Sequence, residues 1–140
     1  MLADKFNPEK FTETLPHMEE ILRCGLYSHS FELGVTTWSQ GMFNILGLAP
    51  YSVPSSFDVF REYILPEDPV RVSTLFENAR KSRQPYTTDF SLLDARGIYK
   101  RIHAETTVKK SDLGIVTEYT GVMKDITESY FYKRALEQKV

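Results

Sequence analysis

The sequence predicts an α+β domain in which one five-stranded antiparallel sheet carries small helices on a single face, with a further helix at each end. Three observations lead there. Two segments with strand periodicity stand near the start, three stand near the end, and the stretch between them reads as short helices. The last three strand segments are joined by turns too short for a crossover, so they must form an antiparallel meander. A chain of 140 residues, 41% of them hydrophobic, closes one core but not two.

Taken in order, residues 1–25 form an N-terminal amphipathic element. Leu15, Met18, Ile21 and Leu22 recur at helical spacing behind Thr14, with Glu19 and Glu20 on the other side. Pro16 fits the first turn of that helix, and Gly25 ends it. Strand spacing follows, with Tyr27, His29, Phe31 and Leu33 alternating against Ser28, Ser30 and Glu32; a turn at Gly34 leads into Val35 to Trp38. Ser39 is placed to cap a short helix that Gly47 stops, and Ser55 or Ser56 to cap the next, which carries Phe57, Val59, Phe60, Tyr63 and Ile64. Asp68-Pro69 is the clearest helix start, heading a stripe of Val70, Val72, Leu75, Phe76 and Ala79 that runs to about Arg83.

The rest is sheet. Tyr86, Thr88, Phe90 and Leu92 share one strand face, Asp94 to Gly97 make a turn, and Ile102, Ala104, Thr106 and Val108 share a face of the next strand. After a second turn at 109–114 the β-rich stretch Ile115 to Thr127 supplies the central strand. Glu128 to Lys139, free of glycine and proline, reads as a helix leaving it.

Bulk properties exclude several classes. A net charge of −2 with mixed signs gives no broad basic field, so nucleic acid is not an expected partner. Apolar runs are short and the N-terminus lacks a secretory core, which predicts a cytoplasmic chain without direct membrane insertion. The single cysteine, Cys24, can make no internal disulfide, and no second histidine or cysteine stands at ligand spacing from His103, so no metal site is expected.

Five landmarks now stand in order: Trp38-Ser39, Ile45-Leu46-Gly47, Pro66-Glu67-Asp68, Gly97, and Gly121 followed by Asp125-Ile126-Thr127. Together they resemble a PAS domain of the class with an attached C-terminal PAC-type motif, as in sensor histidine kinases and diguanylate cyclases, over roughly 26–127, with 128–140 as exit helix. The chain departs from that pattern at Leu65, Pro69 and Arg101, where the family often has histidine, arginine and tryptophan. The resemblance implies a sensory and dimerisation module that binds a small ligand or a partner. It would pass the signal through the exit helix to a histidine kinase or cyclic-dinucleotide effector.

Site expectations follow from the same likeness. A pocket between helices and sheet would be lined by Phe60, Leu75, Phe76, Ala79, Tyr86, Phe90, Ile102 and Ala104, with Thr88, Thr106 and Tyr119 as further polar handles. His29 reads as a hydrogen-bonded core residue or as a polar group in that pocket. Asp125 and Thr127 would tie the last strand to the exit helix, and Leu15, Met18, Ile21 and Leu22 would pack on the partner as a homodimer interface or on the outer sheet face. Haem held from the long helix is not expected, since 70–83 contains no histidine, nor is a cysteinyl flavin, since Cys24 precedes the first strand. A non-covalent flavin, an organic acid, a fatty acid or no ligand all remain open. The exit helix stops in mid-pattern, as though a coiled coil and an effector followed. The rival reading is a small α+β enzyme with a buried carboxylate and a tyrosine as acid and base. It needs an acidic residue on a core face, and Asp89, Glu105 and Glu118 read as solvated.

Overall fold

A computed structural model describes residues 8–138, so the expectations for residues 1–7 and for Lys139 and Val140 lie outside the described residues. The elements run α1 (Pro8–Leu22), β1 (Cys24–Ser30), β2 (Val35–Trp38), α2 (Gln40–Ile45), α3 (Phe57–Arg61), α4 (Pro69–Ser82), β3 (Tyr86–Leu93), β4 (Tyr99–Lys110), β5 (Val116–Asp125) and α5 (Thr127–Glu137). All five strands join one antiparallel sheet in the order β2-β1-β5-β4-β3, with β5 central as its β-branched and aromatic content foretold. The core lies between the sheet and α2 to α4, where Met42, Phe43, Leu46, Phe60, Val72, Phe90, Leu92 and Ile102 are fully buried.

Local corrections concern the first helix. α1 begins at Pro8, so Pro16 lies in the helix interior rather than in its first turn. Thr14 is no cap; its hydroxyl donates back to the carbonyl of Lys10 at 2.8 Å. Gly25 does not end the helix either, because Arg23 turns the chain with φ +53°. Gly25 sits in β1 against α2, where a Cβ would lie 2.5 Å from the Met42 nitrogen. Glu19, expected on the solvent side, is the helix's deeply buried residue at 2% exposure. It accepts from the Ser39 hydroxyl and, at 3.3 Å, from the Gly41 N–H. Glu19 thus takes the capping role expected of Ser39, which is free to accept from the Leu26 N–H at 2.8 Å.

Elsewhere the local chemistry works as its residue types suggest. Ser56 caps α3 by accepting from the Val59 N–H at 3.1 Å. Pro69 opens α4, but the Asp68 carboxylate accepts from the Arg71 guanidinium and the Ser91 N–H on β3 instead of capping the backbone N–H groups of the helix. Asp94 has no exposed side-chain surface and accepts from the N–H groups of Arg96 and Ile98, each at 2.9 Å, and from Lys100 at 3.1 Å. Burial alone would raise its pKa, but these donors outweigh it and hold the carboxyl at about 2.

Candidate functional site: a hollow sheet end and a strand that leaves it

The inner face of the sheet divides along the strands into a closed end and a hollow end. At the closed end Phe90 pairs with Ile102 across β3 and β4, Ala104 stands beside Met123, and all four are buried. Two strand registers away the side chains change character. One cross-strand row runs Trp38, Tyr27, Gly121, Thr106, Tyr86, and the next runs Thr36, His29, Tyr119, Val108.

Gly121 explains how the first row closes. Without a side chain there, the Tyr27 ring lies over β5, and a Cβ on Gly121 would come within 2.3 Å of it. Tyr27 thereby reaches the Thr106 hydroxyl in a short hydrogen bond and the Tyr86 hydroxyl at 3.3 Å. Burial pushes the Tyr27 and Tyr86 phenols up, the second further because Tyr27 stands beside it, so both act as neutral hydroxyls.

Beyond this row lies an inner cavity of about 60 Å³, bounded by Trp38, Met42, Phe57, Phe60, Phe76 and Met123 with the polar groups of Tyr27, His29, Thr36, Arg80, Tyr86 and Tyr119. It adjoins a vestibule of about 210 Å³ that shares His29, Thr36, Phe57, Phe76 and Arg80 and is completed by residues such as Arg61 and Glu77. The His29 Nδ1 is 2.9 Å from the Thr36 hydroxyl, and burial, then the Arg80 charge, lower its pKa, keeping the imidazole neutral. The Tyr119 hydroxyl is buried with no hydrogen-bond partner.

Of the residues expected to line a pocket, Phe60, Phe76 and Tyr86 border this cavity. Phe90, Ile102 and Ala104 do not; they are 0% exposed and interlock at the closed end, while Ala79 and Leu75 also lie outside the cavity wall. Tyr119 and Thr106 belong to the hollow end, but Thr88 turns away to receive the Arg71 guanidinium at 3.1 Å. Tyr27, Trp38, Met42, Phe57 and Arg80 were not foreseen in this role. A signal for the first was present in Gly121, since glycine inside a strand marks a close approach.

The other end of β5 leads to the exit helix. The Asp125 carboxylate accepts from the Thr127 N–H at 3.0 Å and from its hydroxyl at 2.5 Å. Thr127 is the first residue of α5, not its cap, and its hydroxyl accepts from the Arg101 N–H of β4 at 2.9 Å. The Asp125 N–H donates to the Arg23 carbonyl at 2.8 Å, and Arg23 pairs with Glu128 at 3.0 Å. The end of α1 and the start of α5 therefore share one corner. Arg101 lies over the Tyr130 ring at 4.9 Å, holding α5 against β4. On α1, Met18, Ile21 and Leu22 are exposed and Leu15 is half-buried.

A larger groove of about 550 Å³ lies between α1, α2 and the β3–β4 turn, but its cations are engaged, Arg23 by Glu128 and both Arg96 and Lys100 by Asp94. Cys24 opens onto this groove rather than the inner cavity, and burial, then Glu19, push its thiol pKa up. Contrary to the expectation of no core-facing acid, two carboxylates are buried, Glu19 and Asp94; both are fully engaged and neither borders the cavity. His103 stands between Asp89 at 2.5 Å and Glu105 at 3.0 Å, outside the cavity. Among the described residues no group of three His, Cys, Asp or Glu is placed to hold a metal, and no helix is long and apolar enough to cross a membrane.

The family model described as the PAS fold matches residues 35–123, from β2 to the Met123 step of β5. The chain belongs to the PAS-fold family. This PAS domain is 25% identical over 131 residues to the probable diguanylate cyclase DgcE of Escherichia coli, covering 94% of the chain but only 12% of that protein. Among solved structures it resembles a sensory box histidine kinase/response regulator from Burkholderia thailandensis, at TM-score 0.66 and 18% identity, over 90% of this chain and 94% of that one. It likewise resembles the N-terminal domain of a diguanylate cyclase with PAS/PAC sensor from Marinobacter aquaeolei, at TM-score 0.66 and 19% identity, over 76% of this chain and 98% of that one. The PAS domain therefore shares its fold with these two structures, over a sheet in the order β2-β1-β5-β4-β3 with helices beside it.

Proposed function

We propose that this PAS domain is a sensory relay that binds a small molecule at the hollow end, dimerises through α1, and passes its state through α5 to a histidine kinase or cyclic-dinucleotide effector. One observation carries the reading. Strand β5 borders the cavity with Tyr119 and Met123 and, two residues beyond Met123, holds the exit helix through Asp125. Any ligand that moves Tyr119 displaces the same strand that Asp125 and Thr127 fasten to α5 and to Arg101. Such a ligand shifts the relay only by binding one arrangement of that strand better than the other.

The test begins with an absorbance spectrum of freshly purified protein and mass spectrometry of the denatured supernatant. A stoichiometric molecule is expected, and stripping it should change amide exchange across Thr127–Glu137 in the wild type but not in Asp125→Ala. A recovered ligand whose removal leaves α5 exchange unchanged would refute the relay.

A ligand-free dimerisation module is the second reading, supported by the apolar stripe of Met18, Ile21 and Leu22 that faces away from the domain. Light scattering at micromolar concentration should show a dimer that Ile21→Glu dissolves. A monomer in the wild type would remove α1 as an interface in both readings.

A further inference from the structure

The charge of the hollow end narrows what it can hold. Arg80 is the one charged residue among those lining the inner cavity, and no acidic residue borders it. Of the nearby arginines, Arg83 donates to the Val116 carbonyl at 3.0 Å and lies over the Phe31 ring, and Arg71 is bound to Asp68; Glu77, one turn earlier on α4, shares the vestibule wall with Arg80 but does not border the inner cavity. In the vestibule Asp58 pairs with Arg61 at 3.5 Å rather than with Arg80. Tyr119, a residue 6% exposed, lines the same cavity as Arg80, and its buried hydroxyl has no hydrogen-bond partner. An orphaned buried hydroxyl carries a desolvation cost that a ligand acceptor would remove.

We propose that the hollow end binds a small monocarboxylate with an apolar body, its carboxylate on Arg80 and within reach of the Tyr119 hydroxyl, its body among Trp38, Phe57, Phe76 and Tyr86. This rests on the ligand-binding reading above and specifies its ligand class. A planar guanidinium matches a carboxylate with two parallel hydrogen bonds. A multiply charged anion is disfavoured, because Arg80 lies in the last turn of α4, where the helix dipole presents partial negative charge, and no second cation borders the cavity. The aromatic wall, in which Phe57 and Phe76 lie 4.7 Å apart and Phe76 and Tyr86 5.2 Å apart, supplies apolar contact and little hydrogen bonding. The inner cavity of about 60 Å³ has the volume of about two waters, so it admits the body of an acid of only a few carbons, with the vestibule of about 210 Å³ open beyond it.

The test uses butyrate and isovalerate as probes and butyramide as the uncharged counterpart of the first, in calorimetric titrations of the full chain. At least one acid should bind, with butyramide about tenfold or more weaker than butyrate if butyrate is the binder, the scale of a lost charge-assisted hydrogen bond. Arg80→Gln should lose at least as much and Tyr119→Phe several-fold, while Lys81→Gln, an exposed cation one residue along α4 that borders neither compartment, should bind as the wild type does. Circular dichroism of each variant separates lost binding from lost fold. Equal affinity for butyrate and butyramide, or full affinity in Arg80→Gln, would overturn the carboxylate assignment while leaving ligand binding intact. So would recovery of an uncharged molecule from the purified protein when neither acid binds. If neither acid binds and the purified protein carries nothing, the ligand-binding reading falls with it.

Discussion

The two ends of one sheet face solve the same packing problem differently. At the closed end the inward residues are Phe90, Leu92, Ile102 and Ala104, whose side chains carry no polar atoms, and all four are fully buried. At the hollow end the inward residues are Tyr27, His29, Thr106 and Tyr119, and beside them a cavity persists. Hydroxyls and imidazoles must meet partners at fixed angles, so they cannot slide into a void as an aliphatic chain can. Polar geometry, rather than a shortage of apolar residues, keeps that end open. The same strand, β5, crosses both ends.

The contrast is most easily broken at Phe90. Phe90→Ala should destabilise the chain by roughly 3–5 kcal/mol in urea unfolding, because the closed end is packed from all sides and cannot collapse around the loss. A loss under 1 kcal/mol would mean that the closed end is as yielding as the hollow one.

Asp94 tests the closed end from its turn. A carboxyl held at about 2 against an ordinary 3.8 stabilises the fold by about 2 kcal/mol once both states are ionised. The folded pKa is the lower one, so this contribution is present above about 3.8 and is lost as pH falls through about 2. Asp94→Asn should therefore lower stability at neutral pH and flatten its decline in acid. An unchanged acid branch would show that Asp94 is not the group whose protonation loosens this turn.

Gly121 sharpens the comparison at the hollow end. Gly121→Ala places a Cβ against the Tyr27 ring, displaces its hydroxyl from Thr106 and Tyr86, and should cost about 1–3 kcal/mol. On a Tyr27→Leu background the same substitution should cost much less, since the crowded atoms are gone. Equal costs on both backgrounds would separate Gly121 from Tyr27.

How much of this was legible in the sequence follows the range of each interaction. Periodicity and turn residues are local, and they placed the strands, the meander of the last three and the helices, including a cap at Ser55 or Ser56, which is Ser56, and the helix start at Pro69. Glu19 was misread because its partners, Ser39 and Gly41, lie about twenty residues away across a packed helix pair, while its own helix offered only an amphipathic pattern. The pocket was sought at Phe90, Ile102 and Ala104 because alternation marks an inward face and cannot say which part of that face is filled. That depends on the pairing of Tyr27 with Gly121 and of His29 with Tyr119, contacts between strands some ninety residues apart. Arg80 was hidden for a further reason. It sits on the polar side of α4, and only the meeting of that helix with β1 and β5 puts its charge at the cavity.

The smallest expected effect is the most discriminating, because it compares two phenols inside the hollow end. Tyr27→Phe removes a hydroxyl bonded to Thr106 and Tyr86 and should cost about 1 kcal/mol. Tyr119→Phe removes a buried hydroxyl with no partner, which leaves nothing unsatisfied behind and should be neutral or stabilising by up to about 1 kcal/mol. Opposite signs in matched urea titrations would mark Tyr119 as a group kept for a ligand at the expense of the empty fold. Equal losses in the two variants would mean that a buried water already satisfies the Tyr119 hydroxyl, and the hollow end would then be a hydrated core with no unmet demand for an acceptor.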